Sequence, residues 1–388
     1  MLPRLGVVAH WPIQYHTPLH QLLARRAHVD LDVLYLSDRG YTPAIDPGFG
    51  VTVAWDIDML SGYQYSFLST LQQPMSDATK AARLAKWITH HDVVVVNGYN
   101  SRWMLLAMAI CRARGIPFLL RGSSHPVGMS TGVRRHLRRA GTRMVVAASS
   151  GGLSMGQLNE QFYQQNGARL VIFAPNSVDD ERFARLPVLR RPELLARWGL
   201  SDQRPVVMFC GKLIPRKRPL DLIAAVKLLP QEVTTLFVGE GPIAEQVAAS
   251  LDPVAGIVTG FVNQQELAGY YHAADILVLP SEFETWGMVV NEAMAAGVLP
   301  VVSDRVGAAP DLVRGIGEVY PCGDVRSLAA SLGRALARVK DPQTRDRVKA
   351  HAARYSLART AAGFEQGAAA AMERRREHAS DSQQPRDH

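Results

Sequence analysis

Residues 280–297 read Pro280-Ser281-Glu282-Phe283-Glu284-Thr285-Trp286-Gly287-Met288-Val289-Val290-Asn291-Glu292-Ala293-Met294-Ala295-Ala296-Gly297. The apolar run Ile276-Leu277-Val278-Leu279 before them reads as a buried parallel strand that stops at Pro280. The Ala and Met residues after it favour helix, and Gly297 is the residue type that closes one. The local order is therefore strand, loop, helix, and open α/β sheets bind their ligands at such strand ends. Glu284 lies at the helix entrance and Glu292 inside the helix. Eight helical residues at about 1.5 Å each span at most about 12 Å, comparable with a nucleotide-sugar from ribose to sugar ring. A carboxylate on an apolar helix face needs hydrogen-bond donors, and a ribose diol has two hydroxyls to give. The first amides of the helix, those of Trp286, Gly287 and Met288, suit a phosphate or sugar oxygen. Taken singly, the two glutamates read as a surface residue and an ordinary loop carboxylate. The surrounding strand, loop and next strand (298–302) favour a ligand site.

Outward from this stretch the chain repeats the same grammar. Its 388 residues are enough for two α/β domains with full cores. Strands are expected at 5–10, 31–36, 93–97, 118–120, 144–148 and 170–173, with helices at 17–27, 77–90 and 103–114 between them. A second series of strands is expected at 206–210, 236–238, 257–259, 276–279 and 298–302, with helices at 220–229, 264–273, 325–339 and 357–374. The β-α alternation predicts parallel sheets with crossover helices. Residues 38–75 read as irregular. The polar end from Arg375 reads as disordered.

A second motif follows the strand at 206–210. In Gly211-Lys212-Leu213-Ile214-Pro215-Arg216-Lys217, a glycine at a strand end lets backbone approach a ligand. Two lysines five residues apart on one loop suit a diphosphate, where they would neutralise charge growing on a leaving nucleotide. Taken alone, the loop reads as a solvated basic turn. Two Asp-x-Asp triplets, Asp30-Leu31-Asp32 and Asp56-Ile57-Asp58, are weak metal signals, and no His/Cys/Asp cluster has metal-ligand spacing. No metal and no cofactor is expected.

Glu284-x7-Glu292, followed by Ala-Met-Ala-Ala-Gly-Val-Leu-Pro-Val-Val-Ser, resembles the signature of the large retaining glycosyltransferases of the GT-B fold, the family-4-like glycosyl transferases group 1. The resemblance implies an α/β chain of two facing Rossmann-like parallel-sheet domains with an interdomain cleft. On this sequence that gives an acceptor domain at 1–175, a linker at 176–192 and a nucleotide-sugar domain at 193–355. A helix at 356–374 would pack back across the cleft, and the tail is 375–388. The implied roles put Glu284 against the transferred sugar and Glu292 on the donor ribose. Lys212 and Lys217 would hold the diphosphate. Gly211, Gly239, Gly241, Phe261 and Val262 would line the nucleotide, together with Thr285, Trp286, Gly287 and Met288. The acceptor side offers His16, Arg121, Ser123 and His125. Here the sequence departs from the family: the turn at 12–18 has no glycine, Arg121 stands where a histidine is usual, and Lys212 stands where arginine is common.

The expected reaction moves a hexose from a nucleotide-diphosphate sugar to a glycan or lipid-linked acceptor, without metal and with retention of configuration. The alternatives are a nucleotide-sugar 2-epimerase, which needs no acceptor, and a non-catalytic nucleotide-sugar binding protein. Charge placement bears on the partner. The first 175 residues carry 17 Lys/Arg against nine Asp/Glu, while the remainder is balanced. Arg134, Arg135, Arg138 and Arg139 form the densest cluster, a candidate contact for an anionic membrane surface. The basic stretch lacks the aromatic interleaving of a nucleic-acid binder. Three cysteines without paired spacing, a short apolar start and no long apolar run fit a cytoplasmic protein, at most peripheral to the inner membrane face.

Overall fold

The structure, a computed structural model, describes every residue except Met1, Pro47, 125–132, 187–189, Val254 and 382–388, and leaves the side chains of 133–138 and 378–381 undescribed. In chain order its strands are β1 (Arg4–Ala9), β2 (Asp30–Tyr35), β3 (Ala44–Ile45), β4 (Thr52–Val53), β5 (Gln64–Phe67), β6 (Val93–Asn97), β7 (Phe118–Arg121), β8 (Gly151–Ser154), β9 (Val171–Phe173), β10 (Val206–Cys210), β11 (Thr234–Val238), β12 (Gly256–Val258), β13 (Ile276–Leu279), β14 (Leu299–Ser303) and β15 (Glu318–Tyr320). They belong to two compact units. One comprises Met1–Thr42, Asp58–Asn176 and Leu357–His388, the other Pro43–Ile57 and Ser177–Ser356.

The first unit holds a parallel sheet in the order β5-β2-β1-β6-β7-β8-β9. The second holds a parallel sheet in the order β12-β11-β10-β13-β14-β15. This is the α/β architecture of two Rossmann-like units. Strands such as Val93–Asn97 and Val206–Cys210 read as unbroken apolar runs because helices cover both faces of a parallel sheet. Each fully buried valine or leucine contributes about 1.5–3 kcal/mol. The strand order changes direction between β1 and β6 in one sheet and between β10 and β13 in the other. Such reversals open a crevice at the carboxyl ends of the strands.

Three elements differ from expectation. Met144–Ala148 is not a strand but the end of a helix, Val133–Ala148, of which Val146 is buried and Met144 exposed. The strand is the next segment, Gly-Gly-Leu-Ser at 151–154. Its glycines hide it from propensity, yet they are required: a Cβ on Gly152 would sit 2.7 Å from the Tyr163 ring. Within 38–75, residues 64–67 form edge strand β5, and 43–57 carry the β3–β4 hairpin that packs with the second unit. The final helix, Leu357–Asp381, continues past Arg375. It packs on the first sheet: Arg26 pairs with Glu365 at 2.7 and 3.0 Å, and Thr360 Oγ1 donates to Pro175 O at 2.8 Å.

A buried polar chain crosses the first unit. Tyr63 OH donates to Met59 O at 2.7 Å, so Tyr35 OH, 2.8 Å away, donates to Tyr63. His20 Nδ1, 3.2 Å from Tyr35 OH, must therefore carry the proton and donate. Burial holds this imidazole neutral and pushes its pKa down to about 3, with His16 and Arg121 adding to the effect. Below pH 6.5 the unfolded chain binds a proton at His20 that the folded chain does not, so folding stability falls as pH drops from 6.5 towards 3. His20→Phe should flatten this acid limb in a plot of Tm against pH; an unchanged slope would assign it to other groups.

Candidate active site

The crevice between β10 and β13 gathers the charged residues named from the sequence. The β10 loop turns through a short 3₁₀ segment, Pro215–Lys217, into Arg218, whose left-handed backbone (φ 51°) is unfavourable for a residue with a Cβ. Its side chain offsets that cost. The guanidinium grips Asp221 at 2.7 and 3.2 Å and Glu282 of the β13 loop at 3.0 Å. The same two loops are joined again by Glu282 N–H to Arg216 O, at 2.9 Å, and by Arg216 Nη1 to Phe283 O. So fixed, the loops bring Lys217 Nζ onto Glu284 Oε1, with both side chains largely buried (15% and 13% exposed). Ser281 Oγ donates to the same oxygen at 3.1 Å. The Glu284 backbone is pinned as well: its N–H donates to Arg305 O at 3.1 Å, and its carbonyl accepts from Gly307 N–H at 3.0 Å.

Lys212, on the same β10 loop, pairs with Asp46 of the hairpin at 2.6 Å. The Asp46 carboxylate also accepts the N–H groups of Gly48 and Phe49 at 2.7 and 3.1 Å, and these bonds with Lys212 hold it charged to lower pH than usual. The Lys212 ammonium lies 4.8 Å from the centre of the Phe49 ring. Phe49 and Trp55 in turn flank Phe261, with ring centres 5.1 and 6.1 Å away. Asp56 fixes the hairpin by accepting Gln265 N–H at 3.2 Å, at the start of helix Gln264–Ala273. Asp58 accepts the N–H groups of Leu60 and Ser61 at 3.1 and 3.0 Å, and Asp32 accepts Trp87 Nε1–H at 2.6 Å. Among the described residues no group of three metal-ligating side chains gathers.

Glu292 is placed differently from Glu284. It is 1% exposed, on the buried face of helix Met288–Ala295, and its Oε2 accepts the Tyr271 hydroxyl at 2.6 Å. Burial raises the Tyr271 phenol well above its ordinary pKa and pushes the Cys210 thiol, at the end of β10, up to about 12. Glu292 adds to the rise of that thiol, and Lys217 opposes it. Trp286 is also an interior residue, its Nε1–H donating to Asn291 Oδ1 at 2.7 Å. Gly287 begins the helix in the left-handed region at φ 100°. Thr285 is exposed, while Met288, Phe261 and Val262 are half-buried.

The strand-end glycines divide in function. Gly239 (φ 148°) faces protein: a Cβ there would sit 1.9 Å from Gly211 O. Gly241 packs likewise on Leu213 O. Gly211 (φ 139°) meets nothing within 4 Å, which leaves it as the position where a ligand can come close to backbone.

On the acceptor side, Arg121 ends β7 and is 3% exposed. Its guanidinium donates to Ala174 O at 2.5 Å and to Pro175 O at 3.3 Å, and lies 5.1 Å from the Phe364 ring centre. It braces the sheet against the final helix, a structural role that sequence position alone does not reveal. His16 is half-buried just before helix Thr17–Arg26, and burial and Arg121 lower its pKa to about 3. Ser123 is half-buried in the loop after β7. His125 and the side chains of Arg134, Arg135 and Arg138 lie outside the described residues, and Arg139 is exposed. No helix among the described residues is long and apolar enough to cross a membrane.

The profile of glycosyl transferases group 1 matches residues 204–338, the stretch that builds this crevice. A GDP-mannose-dependent α-(1-6)-phosphatidylinositol monomannoside mannosyltransferase of Mycolicibacterium smegmatis is 31% identical over 288 residues, 69% of this chain and 73% of that protein. This chain belongs to the glycosyl transferases group 1. The sulfoquinovosyl transferase of Arabidopsis thaliana is 35% identical over 137 residues, but the match covers 35% of this chain and only 26% of that protein. The fold of this glycosyl transferase is similar to that of Anabaena Alr3699/HepE solved with UDP and glucose, at a TM-score of 0.62 and 16% identity over 98% of this chain and 100% of that one. It is also similar to a glycosyltransferase from Rickettsia africae ESF-5, at 0.68 and 12% identity over 98% of both chains. The GT-B fold named from the sequence is thus shown.

Several residues of the glycosyl transferase's crevice escaped sequence reasoning. Arg218 and Glu282 were visible only as neighbours of the two motifs, and their pairing spans 64 positions. Asp46 and Phe49 had no local signal at all, since the Asp46–Lys212 pair spans 166.

Proposed function

We propose that this protein transfers a hexose from a nucleoside diphosphate sugar to a hydroxyl of a glycan or lipid-linked acceptor, with retention of anomeric configuration. The observation that carries the proposal is the Lys217–Glu284 pair in the β10/β13 crevice, beside Gly211 and Lys212. A diphosphate entering there exchanges the carboxylates on Lys217 and Lys212 for its own oxygens. Both ammonium groups then meet the charge that grows on the departing phosphate, which lowers the barrier without a metal ion. Glu284, released from Lys217 but still held by Ser281, becomes an acceptor for hydroxyls of the transferred sugar. The departing phosphate, held on the same face, takes the proton of the incoming hydroxyl, which accounts for retention. The ribose role of Glu292 rests on the family resemblance, and its Oε2 already accepts the Tyr271 hydroxyl.

GDP-mannose heads the donors to test, since it stands in the name of the mannosyltransferase relative. A nucleoside diphosphate at 100 times its Kd adds about 2.7 kcal/mol to folding stability, a readily measured rise in Tm. One of GDP, UDP or ADP should give that rise while its nucleoside does not. Turnover of the matching sugar should require an acceptor, persist in EDTA and yield an α-linked product by NMR from an α-linked donor. Conversion of the donor alone to its C2 epimer would replace the proposal with epimerisation.

The hairpin contact makes a separate expectation. Asp46 competes with the diphosphate for Lys212, so Asp46→Asn should tighten nucleoside diphosphate binding by about three- to tenfold in calorimetry, about 0.7–1.4 kcal/mol. Weaker binding would show instead that Asp46 holds Lys212 in place for the ligand.

A further inference from the structure

Open α/β sheets take their ligands at the carboxyl ends of their strands. At the opposite, amino edge of the first sheet the chain forms a separate cavity of about 1110 Å³, open to solvent on one side. It lies where four strands begin: Arg4 opens β1, Asp30 opens β2, Gln64 opens β5, and Asp92 directly precedes β6. Helix Thr17–Arg26 walls it at Ala24, and the last turns of the final helix wall it at Met372, Arg375 and Arg376. All of these residues belong to the first unit. The volume is at the upper end of the range of small-molecule sites, about 300–1,000 Å³. No residue of this lining has a part in the donor crevice.

The lining divides by chemistry. Val29 and Leu31, each 4% exposed, give an apolar floor. Leu2, 48% exposed, carries that floor out to the rim, and half-buried Met372 and Ala24 continue it onto the two helices. Charge stands at the border. Arg4 is engaged, its backbone N–H and its guanidinium both donating to Asp92, at 2.9 and 3.1 Å. Arg375 and Arg376 are exposed, and among the described residues neither is held in an ion pair. Asp30, also exposed, is the one carboxylate of the lining outside an ion pair.

We infer that this cavity binds a single amphiphilic anion, an alkyl chain with a phosphate or carboxylate head, with the chain on Leu2, Val29 and Leu31 and the head on Arg375 and Arg376. Guanidinium groups match such heads with paired, charge-assisted hydrogen bonds. The floor removes methylene groups from water, a gain that grows with chain length. A small anion without a chain leaves the floor wet and still meets the repulsion of Asp30. An uncharged chain leaves both arginines without a partner. Concavity selects one molecule over a bilayer, because a flat membrane cannot reach the floor. The inference does not rest on the proposed glycosyl transfer.

The test is calorimetric titration of the full chain with hexyl and octyl phosphate below their micelle concentrations. Inorganic phosphate and octyltrimethylammonium serve as controls. One site should fill, with Kd falling about two- to fourfold for each added methylene. Both controls should bind at least about tenfold more weakly than octyl phosphate. Arg375→Gln/Arg376→Gln should raise the Kd of octyl phosphate about tenfold or more, and Asp30→Asn should lower it. Ala24→Phe, which fills the cavity, should raise it about tenfold; Leu2→Asp, at the exposed rim, is the second variant should Ala24→Phe lower Tm. Binding should persist in Lys212→Ala/Lys217→Ala, which separates this cavity from the donor crevice. The inference is overturned if octyl phosphate does not bind, if chain length has no effect, if the arginine variant binds as the wild type does, or if the lysine variant loses binding. Binding to phosphatidylglycerol vesicles without binding to monomeric octyl phosphate would also overturn it, by making this edge a membrane contact.

Discussion

Lys217→Ala should lower kcat by about 10²–10³-fold, the loss typical when one preorganised donor to developing charge is removed. The Lys217 ammonium has Glu284 as its partner, and both are largely buried. Removing the lysine therefore does two things: it takes a cation from the leaving phosphate and strands a carboxylate in a poorly hydrated site. Breaking a fully buried pair costs about 3–5 kcal/mol, and the residual exposure and the Ser281 hydrogen bond place the cost here below that range. A lower Tm should accompany the lower rate. The two effects separate in the double variant Lys217→Ala/Glu284→Ala, which has no stranded charge. It should recover most of the lost Tm and none of the rate. If the single variant turned over within threefold of the wild type, the catalytic assignment of this pair would be wrong.

Gly239→Ala should be the most destabilising of the glycine substitutions at the strand ends. The new Cβ would lie 1.9 Å from Gly211 O, and backbone cannot swing aside as a flexible side chain does. Gly239 N–H also donates to Gly260 O at 3.0 Å, and Gly211 N–H to Val238 O at 2.9 Å, so a shift would propagate into three neighbouring strand ends. Adding the left-handed backbone, the cost should exceed about 4 kcal/mol, or about 10 °C in the Tm of a unit this size. Gly211→Ala is the informative partner. Its φ is also positive, yet no atom lies within 4 Å of the new methyl. It should fold with a loss of about 1–2 kcal/mol and lose affinity for the nucleoside diphosphate. Equal destabilisation by the two substitutions would remove the distinction between a glycine that faces protein and one that faces ligand.

The architecture was legible where burial on both faces writes itself into sequence. Val93–Asn97 and Ile276–Leu279 are short apolar runs between helical patterns, and the structure keeps them as strands. It was illegible where a strand is built for its neighbours' sake, as in β8, whose glycines make room for Leu170 and Tyr163. The crevice follows the same division. Lys212, Lys217 and Glu284 lie in two motifs at the ends of adjacent strands, so local spacing was enough to name them. Asp46 arrives from a hairpin far away in the chain, and only the folded chain shows that Lys212 already has a partner. Glu292 was read as a ligand of a diol because an apolar helix face demands donors, and the structure supplies one of those donors from within, Tyr271. Arg121 illustrates the converse. It drew attention as a cation at a strand end, and it braces the backbone around Ala174 and Pro175.

The central claim is that Lys212 and Lys217 grip a diphosphate. Calorimetric titration of the wild type and the Lys212→Ala/Lys217→Ala variant with the nucleoside diphosphate that raises Tm tests it most directly. The account predicts that the double variant binds at least about 100-fold more weakly, about 2.7 kcal/mol, and that nucleoside binding changes little. Equal affinity of the two proteins for the diphosphate would contradict it.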